Sequence, residues 1–336
     1  MRQNGPLMTG LRTPLSILDL AIVERGTSTG DALAGCVEVA RTAERLGYRR
    51  IWYAEHHNMA SIASSATSVL IAHVAAHTST IRLGAGGIML PNHSPLVIAE
   101  QFGTLESLYP GRVDLGLGRA PGTDGLTWRA LRRDPQASER FPDDVVELQG
   151  LLGPVQPGQR IRAIPGADTR VPLWILGSSL FGAQLAAHLG LPYAFASHFA
   201  PAALHDALRV YRQFFQPSTQ SAKSYAMAGV NVVVADTDAE AQRLFTSLQQ
   251  VIVGLVTGQP GRLGPPSDAP LELFPPVKQQ VEAFLGCSFV GSIDTVRRGL
   301  EGFIAKTGVD ELIVATALFD HAARRRSVTL LADLIG

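Results

Sequence analysis

Glu55, His56 and His57 follow one another at the end of the apolar run Arg50–Ala54. Two imidazoles beside a carboxylate are the side chains of proton transfer or of metal binding. A metal needs at least three ligands, and no HxH, HExxH or second acidic cluster completes a set, so no metal site is expected. Consecutive residues on an extended chain point to opposite faces, which puts one histidine toward a site and the other behind it. Catalysis by one and structural hydrogen bonding by both fit the residues equally well. His93 and His198 also end apolar runs and are candidate lining residues. His73 and His77, four apart in a helical pattern, read as structural or surface residues.

Two further signals concern anions. Gly177-Ser178-Ser179 leads into a helical pattern, where free N–H groups and the positive helix end can hold a phosphate with hydroxyls assisting. A plain helix cap by either serine reads identically. Arg119, directly after the strand pattern Val113–Gly118, offers a fork of donors to the same anion. Gly116-Leu117-Gly118 lacks the third glycine and following helix of a dinucleotide fingerprint. Gly84-Ala85-Gly86-Gly87 interrupts a strand pattern. It implies either the close approach of a flat ligand or tight packing inside a barrel.

The elements that must carry these residues alternate. Apolar runs at Leu15–Ile22, Arg50–Ala54, Ile81–Leu90, Arg112–Leu117, Val171–Leu176, Pro192–Ala196, Tyr225–Val234 and Glu311–Thr316 read as strands, separated by amphipathic helical stretches. Eight strands, each followed by a helix and with no polar linker between halves, predict an α/β fold: a single (β/α)8 TIM barrel over residues 15–336 after a flexible segment 1–14. Long insertions follow the fourth strand (Arg119–Arg140) and the seventh (Thr257–Pro276). In such a barrel chemistry sits on the loops after the strands' C-terminal ends, where Glu55, His56, Met89, Arg119, Ser178 and His198 all fall.

Composition narrows the function. With 29 basic and 29 acidic residues among 336, the chain has no net attraction for nucleic acid or anionic membrane. Hydrophobic residues make up 46% and charged ones 17%, which predicts a large folded core. Two distant cysteines exclude a disulfide framework. No apolar run reaches the roughly 20 residues of a membrane span, and the first residues lack a signal-peptide pattern, so a cytoplasmic protein is expected.

Trp52–His57, Ile81–Pro91, His93-Ser94-Pro95 with Glu100, and Tyr109–Arg119 together resemble the bacterial luciferase-like flavin-dependent monooxygenases, and the likeness runs in order along the barrel. The resemblance implies reduced FMN, or in some branches a deazaflavin, at the barrel's C-terminal mouth. Gly86 and Gly87 match a non-proline cis peptide that supports the flavin ring. Arg119 matches an arginine near the phosphate, and Ser178, Ser179 and the backbone of Phe181 and Gly182 match the phosphate loop. His56 matches the catalytic histidine, and Gly118 stands where luciferase has a reactive cysteine. Glu55, Met89 and His198 are the expected substrate-pocket residues. The implied activity is monooxygenation of a bulky organic substrate, such as a secondary-metabolite intermediate, through a flavin C4a-hydroperoxide formed from O2. A separate flavin reductase supplies the cofactor, and relatives associate as dimers. Deazaflavin-dependent hydride transfer and a non-catalytic flavin-binding subunit are the alternatives on the same scaffold.

Overall fold

The protein is described by a computed structural model over residues 10–120 and 124–335. Its strands are β1 (Leu15–Asp19), β2 (Arg50–Tyr53), β3 (Arg82–Met89), β4 (Val113–Gly118), β5 (Leu173–Gly177), β6 (Tyr193–Phe195), β7 (Ala226–Val234), β8 (Ser288–Gly291) and β9 (Glu311–Ala315). All pairings between them are parallel. β1 to β7 pair in sequence order, β7 pairs with β9 and β9 with β1, so eight strands close into the expected (β/α)8 barrel. The helices are α1 (Thr29–Arg45), α2 (Thr67–Ala75), α3 (Pro95–Leu108), α4 (Gly125–Ala130), α5 (Phe141–Leu152), α6 (Leu180–Leu189), α7 (Leu204–Phe214), α8 (Asp238–Val256), α9 (Pro275–Phe284), α10 (Ile293–Thr307) and α11 (His321–Ala332).

The strands are apolar along their whole length because both faces are covered. Leu15 and Ile17 of β1 pack in the layer shared with the helices. Leu18, of opposite parity, joins Trp52, Ala54, Trp174, Ala194, Met227 and Ile313 inside the barrel. Below them lies a polar layer contributed by strand starts. Arg50, 3% exposed, donates to Asp114 at 2.7 Å and to Glu311 at 2.8 and 3.1 Å. Ser16 and Tyr225 also donate to Glu311, and Trp52 and Arg82 to Asp114. The Arg50 guanidinium stacks 4.8 Å from the Trp174 ring. Burial alone would lower the Arg50 pKa, but the two carboxylates hold it above the ordinary value. One end of the barrel is thereby closed.

The sequence reading has no counterpart for α9 and β8. β8 takes up β7 at Asn231–Val234, beyond the Ala226–Ala228 stretch used by β6. At Asn231, β9 occupies the other edge of β7, so β8 prolongs the barrel wall past the short β6. Four residues are too few for periodicity to show. Arg119–Arg140, read as an irregular lid, carries α4, capped by Asp124, and a 3-10 turn at Pro135–Glu139; residues 121–123 lie outside the described residues. Of the segment 1–14 expected to be flexible, residues 1–9 also lie outside them, while Leu11 is buried and bridges to Ile335. Among the described residues no helix is long and apolar enough to cross a membrane.

Arg50→Met removes the cation shared by two buried carboxylates, leaving Asp114 with Arg82 alone, and is expected to cost about 3–5 kcal/mol of unfolding free energy. The triple variant R50M/D114N/E311Q, which also removes both buried carboxylate charges, should recover part of that loss. Urea unfolding measures both.

Candidate active site

β2 ends at Tyr53, but its ladder continues one step, since the Glu55 N–H donates to the Gly87 carbonyl at 3.1 Å. The Glu55 side chain is 1% exposed and is held wholly by protein. It accepts from the Met89 N–H at 2.9 Å, the Asn92 amide at 3.1 Å, His57 Nε2 at 2.7 Å and His93 Nε2 at 2.9 Å. A carboxylate only accepts, so both imidazoles present N–H to it. Burial pushes the Glu55 pKa up, but His93, His57 and Met89 together hold it below the ordinary 4.5. Glu55 is therefore a charged brace between the ends of β2 and β3, with no oxygen left over to line a pocket.

The brace claims His57 and leaves His56 on the other face, the division that strand alternation requires. His56 is half-buried, and its Nδ1 has no hydrogen-bond partner. Burial lowers its pKa below 6.5 against the pull of Glu55, so the ring is neutral at pH 7.

β3 carries one extra residue relative to β4 between Ala85 and Ile88, and the Gly86–Gly87 peptide is cis. Packing alone accounts for some of the glycines. A Cβ on Gly84 would lie 2.6 Å from the Asp114 carbonyl, and one on Gly116 2.2 Å from that of Ala85. Gly86 differs from its buried neighbours in being partly exposed. Met89 packs its sulfur against Gly118, 2.8 Å from where a Cβ would stand.

At the end of β5, Ser179 has N-cap backbone geometry, yet its side chain makes no capping bond to α6. The helix therefore begins with unclaimed N–H groups beside Ser178 and an exposed Ser179. Arg119 projects from the end of β4, its guanidinium 4.1 Å from the Phe181 ring on the first turn of α6. Gly182 lies against the Tyr193 ring, whose hydroxyl donates to the Ser179 carbonyl at 3.2 Å. These residues form one corner suited to an anion. Of the two sequence readings of the serines, the structure lacks the capping bond.

His198, after β6, sits over Gly229 of β7. Both insertions dock on the loop that carries His56. Asn58 donates to Asp124 at 3.2 Å, and Arg262 donates to the Ala60 carbonyl at 3.1 Å. Arg133 reaches the Asn92 carbonyl at 2.7 Å. Sequence reasoning missed Asp124, Asn231 and the ring of Phe181. Only Asn231 carried a signal, as a polar residue inside an apolar strand. Among the described residues no group of three or more His, Cys, Asp or Glu is placed to hold a metal ion.

Residues 14–311 match the profile of the luciferase-like monooxygenases. The chain belongs to that family. A luciferase-like monooxygenase of Escherichia coli K12 is 50% identical over 97% of this chain and 98% of its own. The N-acetyl-S-alkylcysteine monooxygenase of Bacillus subtilis is 33% identical over 88% and 84%. The crystal structure of apo-MsnO8 superposes with a TM-score of 0.89 at 37% identity, covering 96% and 98% of the two chains. The FMN complex of the oxygenating constituent of 3,6-diketocamphane monooxygenase from Pseudomonas putida shares the fold, with a TM-score of 0.72 at 16% identity over 95% and 96%. As a luciferase-like monooxygenase the chain is an oxidoreductase.

Glu55→Gln replaces an acceptor of four donors by a group that must itself donate, and is expected to destabilise the fold by about 1–3 kcal/mol at pH 7. Because the folded-state pKa of Glu55 is depressed, its contribution is full above the ordinary 4.5 and is lost as pH falls through the folded value. Thermal melts of both proteins from pH 7 to 3 should therefore converge toward acid.

Proposed function

We propose that the chain is the oxygenating component of a two-component FMN-dependent monooxygenase. It would act on a bulky organic substrate, such as a secondary-metabolite intermediate. The corner formed by Arg119, Phe181 and the uncapped start of α6 carries this reading, because it offers charge, hydroxyls and free N–H groups with no protein anion to use them. Reduced FMN, when bound, supplies the two electrons that let O2 deliver one atom to substrate and the other to water.

The residues present fit that group. Arg119, Ser178, Ser179 and the N–H groups of Phe181 and Gly182 would hold its phosphate, and the partly exposed Gly86 with Gly87 would back its ring. Met89 and His198 would line the substrate side. His56, neutral and with an idle nitrogen, would accept or return a proton at the reacting centre. The insertions that dock on Asn58 and Ala60 would exclude water there. A relative named for N-acetyl-S-alkylcysteines and a fold neighbour bound to FMN support this class of substrate and cofactor. The partners we propose are a flavin reductase, since the sequence holds no second nucleotide fingerprint, and a second copy of the chain. The free, buried Cys36 and Cys287 suit a reducing cytoplasm.

The decisive measurement is anaerobic titration with reduced FMN and with reduced riboflavin. Arg119→Ala should weaken FMN about tenfold to a hundredfold and leave riboflavin unchanged, since only the phosphate meets the guanidinium. Equal loss for both flavins, or none, would sink the reading. Stabilisation by a deazaflavin and not by FMN would transfer the site to hydride chemistry.

His56→Ala should keep FMN affinity and divert O2 to hydrogen peroxide. The lowered pKa of His56 keeps it neutral, so coupled turnover in wild type should persist below pH 6.5 before falling. The variant's pH profile should lack that acid limb.

A further inference from the structure

In the closed ring, β2 and β6 stand four strands apart in either direction, so the residues that follow them face each other across the mouth. His56 follows β2 and His198 follows β6. The His198 ring presses its Nδ1 edge onto β7. A Cβ on Gly229 would lie 2.3 Å from Nδ1 but 3.2 Å or more from Cε1 and Cγ, which turns Nε2 away from the wall. Only glycine at 229 admits the ring there. The backbone around it is pinned as well. Asn231 donates to the His198 carbonyl at 2.6 Å, Ser197 donates to the Gly229 carbonyl at 2.6 Å, and Phe199 packs edge-on at 4.8 Å.

All this fixes a ring that, among the described residues, makes no hydrogen bond to protein through either nitrogen, and whose Nδ1 is buried without a partner. A phenyl ring would pack equally well, so packing does not account for an imidazole. Burial, and the repulsion of His56, draw the His198 pKa down to about 4, which keeps the ring neutral at physiological pH. The charge that acts on His56 is that of Glu55, whose hydrogen-bonding capacity is already spent on His57, Met89, Asn92 and His93, while the Arg119 guanidinium rests on Phe181. A charged group there would be left uncompensated.

We propose that His198 is a specificity-determining residue, whose Nε2 hydrogen-bonds an uncharged polar group of the substrate, a carbonyl, amide or hydroxyl, held opposite His56. The inference rests on the cofactor site of the preceding reading and deepens it. It requires a substrate with a neutral oxygen or nitrogen function near the atom that is oxidised.

Three isosteric probes test it on FMN-loaded protein by equilibrium dialysis: acetophenone, α-methylstyrene and benzoate. Wild type should bind acetophenone about tenfold more tightly than the other two. His198→Phe should bring the ratio of acetophenone to α-methylstyrene to about one while FMN affinity and Tm stay unchanged. His198→Gln, which keeps a hydrogen-bonding head, should preserve the order. Loaded wild type that treats the three probes alike, or binds none, overturns the inference, as does H198F with the preference intact. Protein that fails to take up FMN overturns the preceding reading, and this inference falls with it.

Discussion

Arg50 stands between two buried carboxylates, and the interior of the barrel is arranged around that placement. Asp114 comes from β4 and Glu311 from β9, while Ser16 of β1, Trp52 of β2, Arg82 of β3 and Tyr225 just before β7 contribute further donors. A cation so deeply buried persists only if both anions and their remaining lone pairs are satisfied. The layer therefore fixes the register of strands distant in sequence at the same time as it plugs one end. Trp52 and Trp174 pack edge to face, 5.1 Å apart, directly above it. The opposite end is left to the strand-end residues we propose for cofactor and substrate, Gly86, Gly87 and His198 among them.

A second buried carboxylate organises that open end. Glu55 ties the end of β2 to the end of β3 through Met89, Asn92 and His93, and by engaging His57 it determines which of the two consecutive histidines stays free of it. The same loop receives both insertions, at Asn58 and at Ala60. Both insertions thus rest on the segment that holds His56, the residue we propose for proton transfer.

The barrel was legible because parallel strands covered on both faces are continuous apolar runs, and eight of them alternate with amphipathic stretches. The family motifs added the position of the mouth. β8 and α9 escaped because β8 spans four residues next to a proline-rich stretch and is defined by its partner, the far half of β7. α4 escaped because a six-residue helix held by one aspartate cap has no periodicity to detect. Glu55 was picked out as a pocket residue, and its carboxylate is spent on bracing two strands, a difference the sequence does not carry.

By itself the sequence determined the fold class, the strand ends at which chemistry sits, and the motifs of the luciferase-like monooxygenases, because these depend on local periodicity and on residues adjacent along the chain. Only the tertiary structure decided which of two consecutive histidines is free, that Ser179 leaves its helix uncapped, that Arg119 rests on Phe181, and that His198 faces the mouth over Gly229. Each of those depends on where a side chain's hydrogen-bonding capacity is spent. Glu55 and His57 are two residues apart, but the other partners, His93, Phe181 and Gly229, lie tens of residues from the groups they meet.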